Sequence, residues 1–200
     1  MAYGLHPVRN ANGGTLRTNN FCDYKIADDY NTALYRGDPV IVVADGTIAK
    51  AIGDEGTEST TTIVGVFWGC DYTPDTGAYS GVPVFDSAWP ASQSIQGSYA
   101  NAMVYDDPNT IFKCQSDQVS TAFTQASVFA GTDFTWVAGN ALLKTSGVYV
   151  NSDSPGALTD GQLRIVGTAE DDGTWSAAGT AMDILVMIDE GFWVNRPASI

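Results

Sequence analysis

The sequence predicts an all-β protein: an antiparallel sandwich or barrel-like body with extended terminal arms and at most one or two short helices. Roughly eight to ten short runs of β-branched and aromatic residues are separated by turn signals about every ten residues. Only 16% of the residues are charged, while glycine is abundant at 21 residues, a composition typical of sheets with many turns. Strand and helix patterns do not alternate as a parallel sheet would require.

Residues 62–90, TIVGVFWGCDYTPDTGAYSGVPVFDSAWP, form the stretch around which the rest is expected to be organised. An apolar run at 63–68 leads into a turn at 74–77, and a second run at 82–85 leads to Trp89 and Pro90. Such runs, bounded by Gly, Pro and Asp, indicate strands joined by a turn.

The clearest hairpin lies at residues 39–52, where Asp45 and Gly46 separate two β-prone runs. Residues 116–131 carry apolar residues at helical spacing and are left open between helix and loop. The body is expected to begin within 21–35, and the remaining strand candidates are 100–105, 110–115, 132–151 (the weakest), 162–169 and 181–188. We therefore expect an N-terminal arm at 1–20, a single β-rich domain at 21–190 and a C-terminal tail at 191–200.

The net charge of −14 is unevenly distributed, because residues 1–20 carry +2 and the rest carries −16. An acidic body repels phosphate backbones, which argues against direct binding of nucleic acid. The basic arm suggests an acidic partner surface, with chance as the alternative. The start shows no signal-peptide pattern and no apolar run approaches the length of a membrane span, so we expect a cytoplasmic origin and no membrane partner.

Catalytic and cofactor motifs are missing from the sequence. His6 is the only histidine, which argues against multi-histidine metal sites and makes Ser-His-Asp chemistry improbable. Cys22, Cys70 and Cys114 form no C-x-x-C pair and are expected to be small buried hydrophobes in a reducing compartment. We expect a protein that is not an enzyme and that needs neither a cofactor nor a metal.

Two other functions stay open. The acidic groups at 28–29, 106–107 and 170–172 could include a hydrolase pair of carboxylates, although adjacent strand residues face opposite sides. The five tryptophans could form a platform that stacks on sugars, and Trp89 and Trp193 are the ones expected to be exposed.

Four segments in order resemble virion structural proteins of tailed, mainly marine, bacteriophages. They are YGLHPVRNANGG, GVFWGCDYTPDTG, VYDDPNTIFKCQSD and the pair QLRIVGTAEDDGTW…AMDILVMIDE. The resemblance implies a capsid decoration (cement) protein on the exterior of the head. It implies binding to the major capsid protein, stabilisation of the expanded shell, and a homotrimer at three-fold or quasi-three-fold positions.

The residues expected to contact the capsid combine the arm, the exposed tryptophans and the tail. They are Tyr3, Leu5, Pro7, Arg9, Arg17, Trp89, Trp193 and Arg196. The alternative function is that of a carbohydrate-binding β module on a virion surface or fibre.

Overall fold

Strands make up most of the regular structure in this protein. The computed structural model describes residues 2–14, 16, 21–51, 62–117, 122–152, 161–170, 173–177 and 179–189. The described part contains fifteen strands and one short 3₁₀ helix, Gln125–Ser127. The strands are β1 (His6–Asn10), β2 (Cys22–Ala27), β3 (Leu34–Tyr35), β4 (Pro39–Val42), β5 (Ile48–Lys50), β6 (Gly65–Tyr72), β7 (Val84–Asp86), β8 (Ala88–Trp89), β9 (Tyr99–Tyr105), β10 (Thr110–Gln115), β11 (Gly131–Thr132), β12 (Phe134–Thr135), β13 (Tyr149–Val150), β14 (Leu163–Thr168) and β15 (Asp183–Ile188).

Two antiparallel sheets form the body. The five-stranded sheet has the order β1-β10-β15-β14-β11, and the six-stranded sheet has the order β2-β9-β6-β4-β5 with β7 paired to β6. The remaining strands form two small ribbons, β3–β8 and β12–β13. The predicted all-β class with antiparallel sheets is confirmed.

The core is divided between two apolar clusters. The first joins Phe112 and Ile184 of the five-stranded sheet to Val66 and Tyr105 of the six-stranded sheet, so the two sheets pack together. The second includes Phe67 and lies on the opposite side of the six-stranded sheet. Strand β6 reaches both clusters because successive side chains of a strand point to opposite faces.

The hairpin predicted at Asp45 and Gly46 is confirmed, with β4 and β5 as its strands. Gly46 has φ +81°, a value that glycine adopts without steric cost. The Asp45 Oδ1 atom accepts hydrogen bonds from the Thr47 N–H at 2.9 Å and the Thr47 hydroxyl at 2.7 Å. These two donors lower the pKa of Asp45.

Strand β6 supports the central role predicted for residues 62–90. It pairs with β4, β7 and β9, and no other strand of the described part pairs with three partners. Gly65 at its start lies where a Cβ atom would come 2.4 Å from the Tyr105 carbonyl oxygen. A larger residue there would force β6 and β9 apart.

The predicted N-terminal arm is wrong for the residues that the structure describes. Residues 6–10 form β1, an edge strand of the five-stranded sheet paired with β10. Leu5 is fully buried in the first core cluster, and its N–H donates to the Gly37 carbonyl at 3.0 Å. Pro7 is tolerated because an edge strand has backbone groups without ladder partners.

The described part of residues 116–131 contains the 3₁₀ turn at 125–127 and the first residue of β11, while 118–121 lie outside the description. Phe123 is nevertheless buried in the first core cluster, so at least this position of the apolar spacing reflects a core contact. The proposed tail, residues 191–200, also lies outside the described residues.

Phe129 carries local backbone strain that a substitution should release. It is 61% exposed and has φ +72°, a region that bulky residues rarely adopt. We expect Phe129→Asn to raise the free energy of unfolding by about 0.5–1 kcal/mol, because Asn tolerates this conformation better. Urea denaturation measures the change, with the exposed Tyr79→Asn as a control that should leave stability nearly unchanged. A less stable Phe129→Asn protein would show that the ring makes contacts worth more than the strain.

Candidate functional site

The structure buries several of the residues expected to contact a capsid. Leu5 and Trp89 are fully buried, and Pro7 is buried within β1. Trp89 was predicted to be exposed, but its indole N–H donates to the Tyr30 carbonyl at 3.1 Å inside the second core cluster. These three side chains therefore pack within the fold, and the prediction that Trp89 is exposed is wrong.

Of the remaining candidates, Arg9 is exposed on β1 and Tyr3 is half-buried. The Tyr3 ring lies over the Lys113 ammonium at 5.4 Å, and Lys113 pairs with Asp183 at 3.1 Å. Burial, followed by the nearby Asp183 carboxylate, raises the pKa of Tyr3. Arg17, Trp193 and Arg196 lie outside the described residues.

His6 is engaged in packing. Its ring lies 5.1 Å from the Trp68 ring, and the Arg36 guanidinium lies 4.6 Å above the same indole. Burial, with Lys113 and Arg36 nearby, lowers the pKa of His6. The imidazole therefore favours its neutral form against the aromatic face.

The three cysteines differ in exposure, and none has an activated thiol. Cys70 and Cys114 are buried as expected, whereas Cys22 is exposed on the edge strand β2. Burial raises the pKa of Cys70 to about 12 and raises that of Cys114 as well. The pKa of Cys22 is also raised, by partial burial and by the Asp106 carboxylate. A thiolate nucleophile requires the opposite shift.

Three of the aspartates named as possible catalytic residues bind backbone or neighbouring side chains, while Asp171 and Asp172 lie outside the described residues. Asp28 Oδ1 accepts from the Ile95 N–H at 2.9 Å, and Asp107 Oδ1 accepts from the Asn109 N–H at 2.9 Å. Asp106 Oδ2 accepts from the Tyr24 hydroxyl at 2.8 Å. Within the described ranges no three His, Cys, Asp or Glu residues come together in a way that could hold a metal ion.

Lys50 and Asp38 form a buried ion pair. Their side chains are 2% and 0% exposed, and the Nζ to Oδ2 distance is 2.8 Å. The ammonium also lies 5.5 Å from the centre of the Tyr35 ring and 5.3 Å from that of Trp136. The pair is closed to solvent, so it joins β5 to the segment before β4 and offers no access to a substrate.

A cleft of about 600 Å³ lies at one end of the five-stranded sheet, between residues 115–117 and 137–149. Its hydroxyl groups hold nearby backbone: Ser116 Oγ accepts from the Met182 N–H at 3.1 Å, and Ser146 Oγ accepts from the Val148 N–H at 3.0 Å. Asp117 Oδ1 accepts from the Ser152 N–H at 3.1 Å. These polar groups therefore maintain the shape of the loops around the cleft.

The turn at residues 140–145 presents two adjacent leucines to solvent. Leu142 is 90% exposed and Leu143 is 60% exposed. Asn140 Oδ1 accepts from both leucine N–H groups at 2.9 Å, and Asn140 and Thr145 close the turn as bridge partners. Lys144 Nζ reaches both carboxylate oxygens of Asp86, at 2.8 and 2.6 Å. We call residues 140–145 the leucine turn.

The leucine turn was not recognised from the sequence, because adjacent leucines usually indicate core. Its signals were local: an Asn two residues before the first leucine, and a Lys directly after the second. It combines a backbone held by hydrogen bonds with two adjacent exposed apolar side chains.

No protein-family model matches this chain, and no curated protein or solved structure was found to be similar to it. No helix in the described ranges is long and apolar enough to cross a membrane. The class that the fold and site define is an antiparallel all-β protein with an exposed apolar turn.

Proposed function

We propose that this chain is a capsid decoration (cement) protein of a tailed bacteriophage. It binds the outer surface of the major capsid protein shell and stabilises the expanded head. Two observations support the proposal. Four segments resemble phage virion proteins and follow one another in the same order along the sequence, and the body is all-β. The observation that carries it is the leucine turn, where Leu142 and Leu143 are 90% and 60% exposed.

The turn is suited to adhesion because its shape exists before binding. Asn140 holds the backbone of both leucines, and Lys144 ties the turn to Asp86 on β7. A preformed contact loses less conformational entropy on binding than a flexible loop. Burying a leucine completely contributes about 1.5–3 kcal/mol.

In this role the protein stabilises the expanded head through a binding equilibrium. A protein that binds only the expanded shell shifts the equilibrium towards that shell by an amount set by its concentration and affinity. A homotrimer at three-fold or quasi-three-fold positions would bind through three turns at once, and the second and third contacts would form at high effective concentration. The net charge of −14 suits a surface that faces solvent and not packaged DNA.

The double variant Leu142→Ser/Leu143→Ser is expected to fold normally and to bind capsids at least about tenfold more weakly, a loss of about 1.4 kcal/mol. Co-sedimentation with purified phage heads that lack the protein measures the affinity. Val8→Ser/Phe129→Asn is the matched control, since it also removes two exposed apolar side chains. Cryo-EM of decorated heads shows where the protein binds.

Three outcomes would contradict the proposal. One is that the wild-type chain does not bind heads, and another is that cryo-EM places it in the tail. The third is that the leucine-turn variant binds as tightly as the control. Light scattering of the purified protein tests the trimer separately.

A further inference from the structure

Among the residues that the structure describes, one half of a face of the six-stranded sheet has no covering layer. On β9 and β6, the register partners Tyr105 and Val66 lie in the core between the two sheets. Further along the same face, Asn101 pairs with Asp71, and Asp71 pairs with Phe85 on β7. There the side chains are exposed or only half-buried, because the five-stranded sheet does not extend over them.

A row of polar side chains crosses this open face. Lys25 Nζ donates to Asn101 Oδ1, and Asn101 Nδ2 donates to Asp71 Oδ2 at 3.0 Å. The row fixes the plane of the Asn101 amide. No described residue donates to Asp71 Oδ1, so this carboxylate oxygen can accept a hydrogen bond from a ligand.

Two exposed aromatic rings lie beside the polar row. Phe85 is 71% exposed and lies directly across from Asp71. Tyr99 is 54% exposed and lies two residues before Asn101, on the same face of β9. Strand spacing and rise place the two Cα atoms about 12 Å apart, which is the scale of a short oligosaccharide.

We propose that this open face binds a neutral polysaccharide. Sugar rings with equatorial hydroxyls have apolar C–H faces that stack on aromatic rings, while their hydroxyls hydrogen-bond to carboxylates and amides. Phe85 and Tyr99 supply the stacking surfaces, and Asp71 with Asn101 supplies oriented polar groups between them. A binding site of this kind uses mainly apolar contact and a few positioned polar groups.

The polar groups and the charge of the open face favour a neutral sugar over an apolar protein surface or a polyanion as its ligand. An apolar protein surface would leave Lys25, Asn101 and Asp71 partly desolvated, which costs binding free energy. A polyanion would be repelled by the net charge of −14. A neutral glycan avoids both costs, because its own hydroxyls replace the water around the polar row.

Calorimetric titration of the purified chain with cellohexaose, mannohexaose and galactohexaose tests the inference. We expect saturable binding of at least one hexaose with a Kd of about 1 mM or tighter. Phe85→Ala and Tyr99→Ala should each weaken binding about tenfold or more, and Asp71→Asn should weaken it less. Tyr79→Ala is the matched control, because Tyr79 is 68% exposed and lies outside the row; it should bind as the wild type does.

Thermal unfolding of each variant confirms that it is folded. Failure to bind all three hexaoses overturns the inference, and so does unchanged binding by Phe85→Ala and Tyr99→Ala. A change of oligomeric state in these variants without sugar binding would assign the face to contact between copies of the chain. The assay needs no capsid, so its result is independent of the proposed decoration function.

Discussion

Lys50→Met is expected to lower the free energy of unfolding by about 3–5 kcal/mol, since it leaves the Asp38 carboxylate buried without its partner. Asp38 is fully buried, and its Oδ2 atom also accepts from the Tyr35 N–H at 2.8 Å. Its Oδ1 atom has no hydrogen-bond partner among the described residues. Among the described residues, the Tyr35 N–H is then the remaining hydrogen-bond donor to the carboxylate. Methionine keeps most of the apolar volume of the lysine stem, so the loss reports mainly on the charge.

Urea denaturation measures the effect, and a double-mutant cycle isolates the pair. Asp38→Asn preserves an acceptor for the Tyr35 N–H, so Lys50→Met/Asp38→Asn should be more stable than Lys50→Met alone. Lys144→Met is the control, because the Lys144–Asp86 pair is 44% and 20% exposed and should contribute only about 0–1 kcal/mol. If Lys50→Met and Lys144→Met lowered the free energy of unfolding equally, the buried Lys50–Asp38 pair would not have the larger contribution that we expect.

The parts of the fold that the sequence predicted well are those specified by neighbouring residues. The Asp45-Gly46 turn follows from side-chain chemistry within three positions, and β14 and β15 lie inside apolar runs of the expected length. For this reason the fold class and the turn positions could be predicted from the sequence. The pairing order could not, because β1 joins β10 about a hundred residues later.

The N-terminal strand was missed for a specific physical reason. The register of β1 against β10 shifts between Pro7 and Arg9, and a shift of this kind interrupts the alternation by which strands are recognised. Its exposed residues, among them Arg9, also gave the segment the composition of a solvated arm. Leu5 anchors this segment in the first core cluster. A single leucine does not form a periodic pattern from which a strand could be predicted.

The candidate contact surfaces were missed because exposure depends on tertiary structure. Phe85 and Leu142 have the composition of core residues, and only the end of a covering sheet or the geometry of a turn exposes them. The reverse holds for Lys50, whose charge suggests surface although Tyr35 and Trp136 enclose it. Residue type alone would place each of these side chains in the wrong environment.

Trp89→Ala is expected to lower the free energy of unfolding by about 3–5 kcal/mol, the usual cost of removing a buried tryptophan. The side chain is completely buried, and its ring meets the Tyr72 ring at 5.3 Å with an interplanar angle of 69°. Strand β8, which carries it, pairs within the described part of the chain only with the two-residue strand β3. Because so short a ribbon has little stability of its own, Trp89 fixes it to the second core cluster.

Two further variants separate the contributions of this residue. Trp89→Phe keeps most of the apolar volume but leaves the Tyr30 carbonyl without its indole donor, so we expect a smaller loss of about 1–3 kcal/mol. Trp175→Ala removes an indole that is only partly buried at the edge of the first cluster, and it should cost less than Trp89→Ala. Chemical denaturation compares the three proteins. If Trp89→Ala were as stable as the wild type, Trp89 would lie at the surface as the sequence suggested, and the second cluster would need a different arrangement.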